Sequence, residues 1–246
     1  MAPAALRRRL NWQLAEVLSV TTETPTARRL RLAVHDWAGH AAGQHVDVRL
    51  TAPDGYTAQR SYSIASPPQA PHLDLVVERL ENGEVSEYLT EELRSGDLLE
   101  LRGPIGGYFV WPATAAGPVQ LIAGGSGVVP FLSMLGHHRA TRSEIQVRLL
   151  YSARTEADLI GTGELAGPGI STTLTLTRAV PPGWEGLRRR VDVTMLAEHT
   201  LAPERSPLVF VCGPTAFVET VAAGMLSLGH DQSRIKTERF GATGGP

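Results

Sequence analysis

The sequence predicts a two-domain chain: an N-terminal antiparallel six-stranded β-barrel followed by a C-terminal α/β domain built on a parallel sheet. Three observations predict it. Six short runs of alternating or continuous apolar residues, separated by Pro, Gly, Asp and Asn, fill the first half from Trp12 to about Phe109. From Pro118 the pattern changes to strands alternating with helices, which implies parallel pairing. A glycine-rich turn, Gly124-Gly125-Ser126-Gly127, stands directly between the first strand and the first helix of that second half. The expected domains are 1–113 and 114–246.

The barrel strands are expected at Leu14–Val20, Thr26–Val34, Gln44–Leu50, Thr57–Ser63, His72–Arg79 and Asp97–Arg102. Six strands at such short spacing favour a closed or nearly closed barrel. One helix interrupts them, since Val85, Leu89 and Leu93 recur at i, i+4 and i+8. Gly103-Pro104-Ile105-Gly106-Gly107-Tyr108-Phe109 reads as a loop whose glycines permit close approach to a ligand or to another domain. Trp111-Pro112 and Ala113–Gly117 read as a linker.

In the second half, Val119–Ala123 is a buried strand, and Val128, Phe131, Leu132 and Leu135 give a helical stripe after the glycine turn. Further strands are expected at Ile145–Ser152, Thr172–Thr177, Leu208–Cys212 and Arg234–Glu238. Val218, Val221, Ala222 and Met225 mark a helix between the last two.

Composition bounds the function. The formal net charge is −2 over 246 residues, so nothing global argues for nucleic acid or a membrane surface. The basic runs Arg7–Arg9 and Arg188–Arg190 are local. No apolar run approaches a membrane span, and no secretory leader is visible after Arg9, so a cytoplasmic monomer is the default expectation. Cys212 is the only cysteine, which excludes an intrachain disulfide, a thiolate-held iron–sulfur cluster and a C-x-x-C-H haem site within this chain. No metal site is expected.

Arg60, Tyr62 and Ser63 close the fourth strand, and Pro67-Pro68 stops its extension. Arg60 and Tyr62 share a face because strand side chains repeat every second residue. A guanidinium fork beside a flat ring suits a ligand with a phosphate at one end and a planar heterocycle at the other; a surface Arg beside a core Tyr is the plainer reading. Gly83 precedes the interrupting helix and Ser86 lies in its first turn, a start able to hold an anion on unpartnered N–H groups or simply to cap itself. Glu84 and Glu87 would repel phosphate there and should face solvent.

The turn Gly125-x-Gly127-x-x-Pro130 departs from the G-x-G-x-x-G fingerprint, because Pro130 holds the third position. Val128 rules out a serine-hydrolase elbow. A glycine turn opening a helix still suits a pyrophosphate.

Arg60-x-Tyr62-Ser63, Gly83-x-Val85-Ser86, the Gly124–Pro130 loop and Cys212-Gly213-Pro214, in this order and on these elements, resemble the ferredoxin–NADP reductase superfamily. The resemblance runs from about Leu14 to Phe240 and is nearest to oxygenase reductase modules and free flavin reductases. It implies a flavin barrel in which Arg60 pairs with flavin phosphate, Tyr62 packs on the isoalloxazine and Ser63 lies near its N5. Gly83, Val85 and Ser86 would hold the pyrophosphate of FAD, with Val77 on the preceding strand in the same set; FMN is the alternative.

By the same resemblance, Gly125, Gly127 and Pro130 would take the nicotinamide nucleotide's pyrophosphate. Cys212, Gly213 and Pro214 would end a strand where the nicotinamide meets the flavin. Cys212 also reads as a small buried strand-end residue. Glu238 would handle protons, and Phe240 would cover the flavin face, although residues 241–246 extend past it.

The donor is a physical question. An acidic residue after the second strand of such a domain accepts a ribose 2′-OH and favours NADH. Here Ser152 and Arg154 end that strand and Arg178 ends the next. Hydroxyl plus guanidinium suits a 2′-phosphate, so NADPH is expected over NADH, with Glu156 and Asp158 as counter-evidence. Electrons are expected to leave for a separate partner such as a ferredoxin, an oxygenase or a molybdenum enzyme. Arg7–Arg9 and Arg28-Arg29 could form a basic rim that docks an acidic ferredoxin, although a solvated surface is the plainer reading of these residues. The alternatives are a free-flavin or ferric-chelate reductase without a protein partner, and a non-catalytic flavin electron-transfer subunit.

Overall fold

The computed structural model describes residues 10–111 and 117–240. The run Arg7–Arg9, the expected boundary at 113/114 and residues 241–246 lie outside the described residues.

Six strands form the first sheet: β1 (Gln13–Thr24), β2 (Ala27–Val34), β3 (His45–Thr51), β4 (Thr57–Ser63), β5 (Leu73–Glu78) and β6 (Leu98–Ile105). Their order is β4-β3-β6-β1-β2-β5, and every pairing is antiparallel. A bridge from Ile64 to Leu75 brings the two outer strands together, and the Ala65 N–H donates to the Asp74 carbonyl at 2.8 Å. The expected barrel is therefore nearly closed. Alternation puts Ala15 and Val17, Leu30 and Leu32, and Val46 and Val48 inside, all fully buried in one core.

The helix between β5 and β6 is shorter and wider than its apolar stripe predicts. It is α1 (Glu84–Glu87) followed by a π turn at Tyr88–Glu92, and Leu93 is already extended. Val85, Leu89 and Leu93 still reach the barrel core. Glu84 and Glu87 face solvent as expected.

The second sheet is wholly parallel. It comprises β7 (Val119–Gly124), β8 (Val147–Ala153), β9 (Ile170–Leu176), β10 (Leu208–Pro214) and β11 (Ile235–Phe240), in the order β11-β10-β7-β8-β9. Three helices cover it: α2 (Val129–Ala140), α3 (Val193–His199) and α4 (Thr215–Ser227). The strand order reverses between β7 and β10, the place where such sheets open a crevice at their carboxyl ends.

The domains share a core. Ala27, Ala42, Ala65 and Val76 of the barrel belong to one buried cluster with Phe131, Leu132 and Leu135 of α2. Helix α2 is consequently apolar almost all round, one side on its own sheet and the other on the barrel. The Ser133 hydroxyl donates to the Ser66 carbonyl at 2.7 Å across this seam.

The expected linker begins later than Trp111. Its side chain is buried, and its backbone N–H donates to the Ala42 carbonyl at 3.1 Å. Phe109 reaches into the second domain, its ring centroid 5.9 Å from Phe131 and 5.2 Å from Phe210. Gly43 lets this happen: its φ is +100°, and a Cβ there would lie 2.1 Å from the Phe109 carbonyl oxygen.

Candidate functional site

The reversal between β7 and β10 brings three chain segments to one point. Strand β7 ends at Gly124, and a tight 3₁₀ turn at Gly125–Val128 feeds α2, with Pro130 in its first turn. Proline suits that position because its missing N–H had no helical partner. The Val129 N–H donates to the Ser126 carbonyl, so the 3₁₀ turn runs on into α2, and neither a side-chain cap nor an acidic residue occupies the start of this continuous helical segment. A Cβ on Gly127 would lie 2.3 Å from the Cys212 carbonyl oxygen, so the turn crosses β10 at backbone contact. Gly124 and Gly213 both lie against the Phe217 ring, 2.9 and 2.8 Å from where their Cβ atoms would be. Gly125, by contrast, opens onto free space. The result is a cradle of backbone with room for an anion.

Cys212 and Glu238 are neighbours on paired strands, as are Pro214 and Phe240. Cys212 is buried, and burial with the nearby Glu238 carboxylate holds its thiol well above the ordinary range. It is a neutral thiol with no exposed surface, in keeping with its reading as a small strand-end residue. Burial pushes the Glu238 carboxyl up to about 7. Its Oε2 is buried with no hydrogen-bond partner, and its Oε1 lies 3.8 Å from His45 Nδ1.

His45 begins β3 and pairs directly with Ser63 on β4. The barrel end carrying Ser63 thus meets the sheet end carrying Cys212 and Glu238, with His45 between them. Sequence reasoning missed His45; its only signal is its place opposite Ser63 in an antiparallel pair. Burial holds its imidazole below the ordinary value, opposed by Asp47 two residues along the same face. Asp47 is itself held low, although burial opposes this, by hydrogen bonds from Ser61 and Arg102.

Arg60 and Tyr62 do share a face, opposite the core residues Val48 and Val46. Arg60 is exposed, and its only hydrogen bond among the described residues goes to the Gln59 carbonyl. Tyr62 packs against the barrel core, and burial raises its phenol pKa. A free guanidinium and a half-buried ring are left available at one rim.

Ser86 is differently disposed. Its hydroxyl donates to the Gly83 carbonyl at 2.9 Å and accepts the Leu80 N–H at 3.1 Å, and the side chain is buried. Any anion at that turn would be met by main-chain N–H groups, since Gly83 supplies no side-chain cap. Val77 and Val85 are buried in the barrel core and offer only backbone.

Ser152 pairs with Gly124, so β8 ends beside the glycine turn. The Arg178 N–H donates to the Arg154 carbonyl at 2.9 Å, which places the ends of β8 and β9 together. Both guanidinium groups are exposed, with no ion pair among the described residues. Asp158 is committed to Thr155, accepting from its N–H at 3.0 Å and its hydroxyl at 2.7 Å. Glu156 remains exposed. In the Arg188–Arg190 run, Arg189 pairs with Asp192 and Glu198.

Two open grooves, of about 610 and 730 Å³, lie elsewhere. One runs along the outer edge of β9 past Trp184 and His199, and the other lies between β1 and the π turn, past Arg28 and Arg94. Neither includes Ser63, Cys212 or Glu238.

Comparison with known proteins gives two family matches: residues 13–110 match the oxidoreductase FAD-binding domain, and residues 121–223 the oxidoreductase NAD-binding domain. The chain is 34% identical over 211 residues to the glycine betaine monooxygenase reductase subunit of Chromohalobacter salexigens, covering 82% of this chain and 56% of that protein. It is 32% identical over 241 residues to ferredoxin–NADP reductase B of Sorangium cellulosum, covering 92% of this chain and 96% of that protein. Relatives named for NADH also match. Among solved structures, the Amycolatopsis cytochrome P450 reductase GcoB superposes with a TM-score of 0.81 at 27% identity, over 94% of this chain and 70% of that one. The chain spans about half the length of the first curated relatives it matches. No helix among the described residues is long and apolar enough to cross a membrane.

Proposed function

The chain belongs to the ferredoxin–NADP reductase-like family of FAD- and NAD(P)H-dependent oxidoreductases, and on that premise we propose that it takes hydride from NADPH onto bound FAD and passes the electrons to a separate redox protein. The observation that carries this reading is the meeting of Ser63 and His45 from the barrel with Cys212 and Glu238 from the parallel sheet. FAD, when bound, accepts hydride as a pair of electrons and releases them one at a time.

The chain's own residues bind, orient and shield. Arg60 holds the flavin phosphate and Tyr62 packs on the ring. Gly83, Val85 and Ser86, with Val77 behind them, present main chain to the pyrophosphate. The Gly125–Gly127 turn that leads into α2 holds the donor's pyrophosphate, with Pro130 fixing the first helical turn. Ser63, Cys212 and Glu238 line the transfer point beside Gly213 and Pro214, and Phe240 covers it. Catalysis here is mostly orientation.

The choice of NADPH is supported by the exposed Arg154 and Arg178 at the joined ends of β8 and β9, beside Ser152 and without ion pairs among the described residues, and by Asp158 being already bonded to Thr155. The chain acts as a cytoplasmic monomer in this reading. The domain division falls at 113/114, which the matched ranges ending at 110 and starting at 121 support. The relatives' names support the class of acceptor: an oxygenase component or a ferredoxin.

The test is anaerobic. Purified protein with bound flavin is mixed with NADPH and, separately, with NADH. Rapid bleaching, faster with NADPH, is expected. Bound flavin that neither donor bleaches would favour a non-catalytic electron-transfer subunit and overturn the reading.

A further inference from the structure

Two contacts between titratable side chains cross between the domains among the described residues: the close approach of His45 to Glu238 at the site, and the ion pair of Arg29 with Glu164 on its flank. The second belongs to a larger clasp. Arg29 on β2 is 15% exposed, and its Nε donates to Glu23 Oε2 at 2.9 Å. Its Nη2 reaches Glu23 Oε1 at 3.4 Å and also bonds Glu164 Oε1 of the nucleotide domain. Glu23 Oε1 in turn accepts the Gly161 N–H at 2.8 Å, a second crossing. One guanidinium and one carboxylate of the β1–β2 hairpin therefore grip both ends of the segment Gly161–Glu164.

That segment is firmly seated on its own side. The Ile160 N–H donates to the buried Tyr151 hydroxyl at 3.1 Å, and the Glu164 carbonyl accepts from Arg139 of α2 at 2.7 Å. Gly161 has φ +69°, and a Cβ there would lie 2.5 Å from Leu132. The loop is wedged between α2 and the barrel, and only glycine fits. The same loop starts at Arg154, where β8 ends beside the glycine turn. The barrel thus holds the far end of the segment whose near end frames the donor site.

The apolar seam around α2 gives adhesion without direction. A guanidinium hydrogen-bonded to two carboxylates, with Asp74 Oδ2 a further 3.8 Å from its Nη1, gives direction, because its planar fork fixes angles as well as distances. We propose that Arg29 is a positioning residue for hydride transfer: with Glu23 and Glu164 it sets the orientation of the nucleotide domain against the barrel, and with it the approach of either nicotinamide donor to the flavin. The inference rests on the reductase reading above.

The test uses the full chain loaded with FAD, in anaerobic stopped flow at saturating donor. Glu164→Gln changes only the nucleotide-domain side of the clasp. It is expected to slow flavin bleaching about ten-fold, equally with NADPH and NADH, because small misalignments at the reacting atoms are costly. FAD affinity and the donor concentration for half-saturation should stay within about two-fold, a split that a loss of general stability does not produce. Arg29→Lys keeps the charge without the fork and should fall between wild type and Glu164→Gln. Unchanged bleaching in both variants, with or without a lower melting temperature, overturns the clasp while leaving the reductase intact. A wild-type flavin that neither donor bleaches overturns both together.

Discussion

His45 Nδ1 stands 3.8 Å from Glu238 Oε1, joining the third barrel strand to the last strand of the parallel sheet. The pair is matched in an instructive way. Burial disfavours charge on both partners, raising the carboxyl and lowering the imidazole, so each is drawn toward its neutral form near neutral pH. Asp47 is the nearest further charge on the His45 side and is neutralised by Arg102; Cys212 faces Glu238 as a neutral thiol. A carboxyl that can hold or release a proton is thereby stationed where the two domains meet.

The first prediction concerns that carboxyl. Its value in the folded chain, about 7, lies above the ordinary 4.5, so the native state binds more protons than the unfolded state between those limits. Stability therefore falls as pH rises through this window. The loss is at most about 3 kcal/mol, and less because the side chain still meets some water. Glu238→Gln should flatten the fall, measured by urea unfolding at pH 5 and pH 8. The same substitution should remove an inflection near neutrality from the pH profile of kcat. A profile with that inflection intact would assign it to another group.

The second prediction concerns the donor. Arg154 is exposed, unpaired among the described residues, and one hydrogen bond from the end of β9. A charge-assisted hydrogen bond to a 2′-phosphate contributes roughly 1.5–3 kcal/mol. Arg154→Ala should then lower kcat/KM for NADPH by roughly ten- to a hundred-fold and leave NADH nearly unchanged. Equal losses with both donors would remove the 2′-phosphate from the account.

Much of this architecture was legible in the sequence, and the failures have physical causes. Alternating or continuous apolar runs located all six barrel strands: most keep one face inside, whereas β5 is buried on both faces, and β4 matched its expected limits. The π turn was invisible because Val85 and Leu89 are spaced alike in an α-helix and at the start of a wider turn. Helix α3 was missed because it is one short element with only Met195 and Leu196 buried, too few for a periodic signal. Trp111 read as linker because its neighbours are Pro and small residues, whereas the fold buries it against Ala42.

The site divides in the same way. Gly125, Gly127, Cys212 and Arg60 carry local patterns by which a sequence reading can single them out as candidates. His45 carries no such pattern, and neither does the burial of Glu238, since both depend on two strands far apart in sequence being pressed together by the domain seam.

The last prediction tests the nucleotide domain where its glycine turn crosses β10. Gly127 was read as a place where a ligand approaches the backbone, yet the structure gives it a second duty. Its missing side chain is where the glycine turn passes over β10, and a Cβ would lie 2.3 Å from the Cys212 carbonyl oxygen and 2.7 Å from the Gly213 nitrogen. Both atoms belong to a strand paired on each side, with β7 and β11, so neither can withdraw without breaking the sheet at the site. Gly127→Ala must therefore displace the turn and with it the start of α2. Barrel residues Arg60, Tyr62 and Ser63 lie on another sheet and keep their places. The variant should retain its flavin absorbance while KM for NADPH rises at least about ten-fold, with a stability loss of about 1–3 kcal/mol typical of overpacking. Gly125→Ala, where no atom lies within 4 Å but φ is +56°, separates conformational strain from collision. It should cost less than Gly127→Ala in both measurements, and the reverse ranking would show that the left-handed turn, rather than the crossing over β10, governs the donor site.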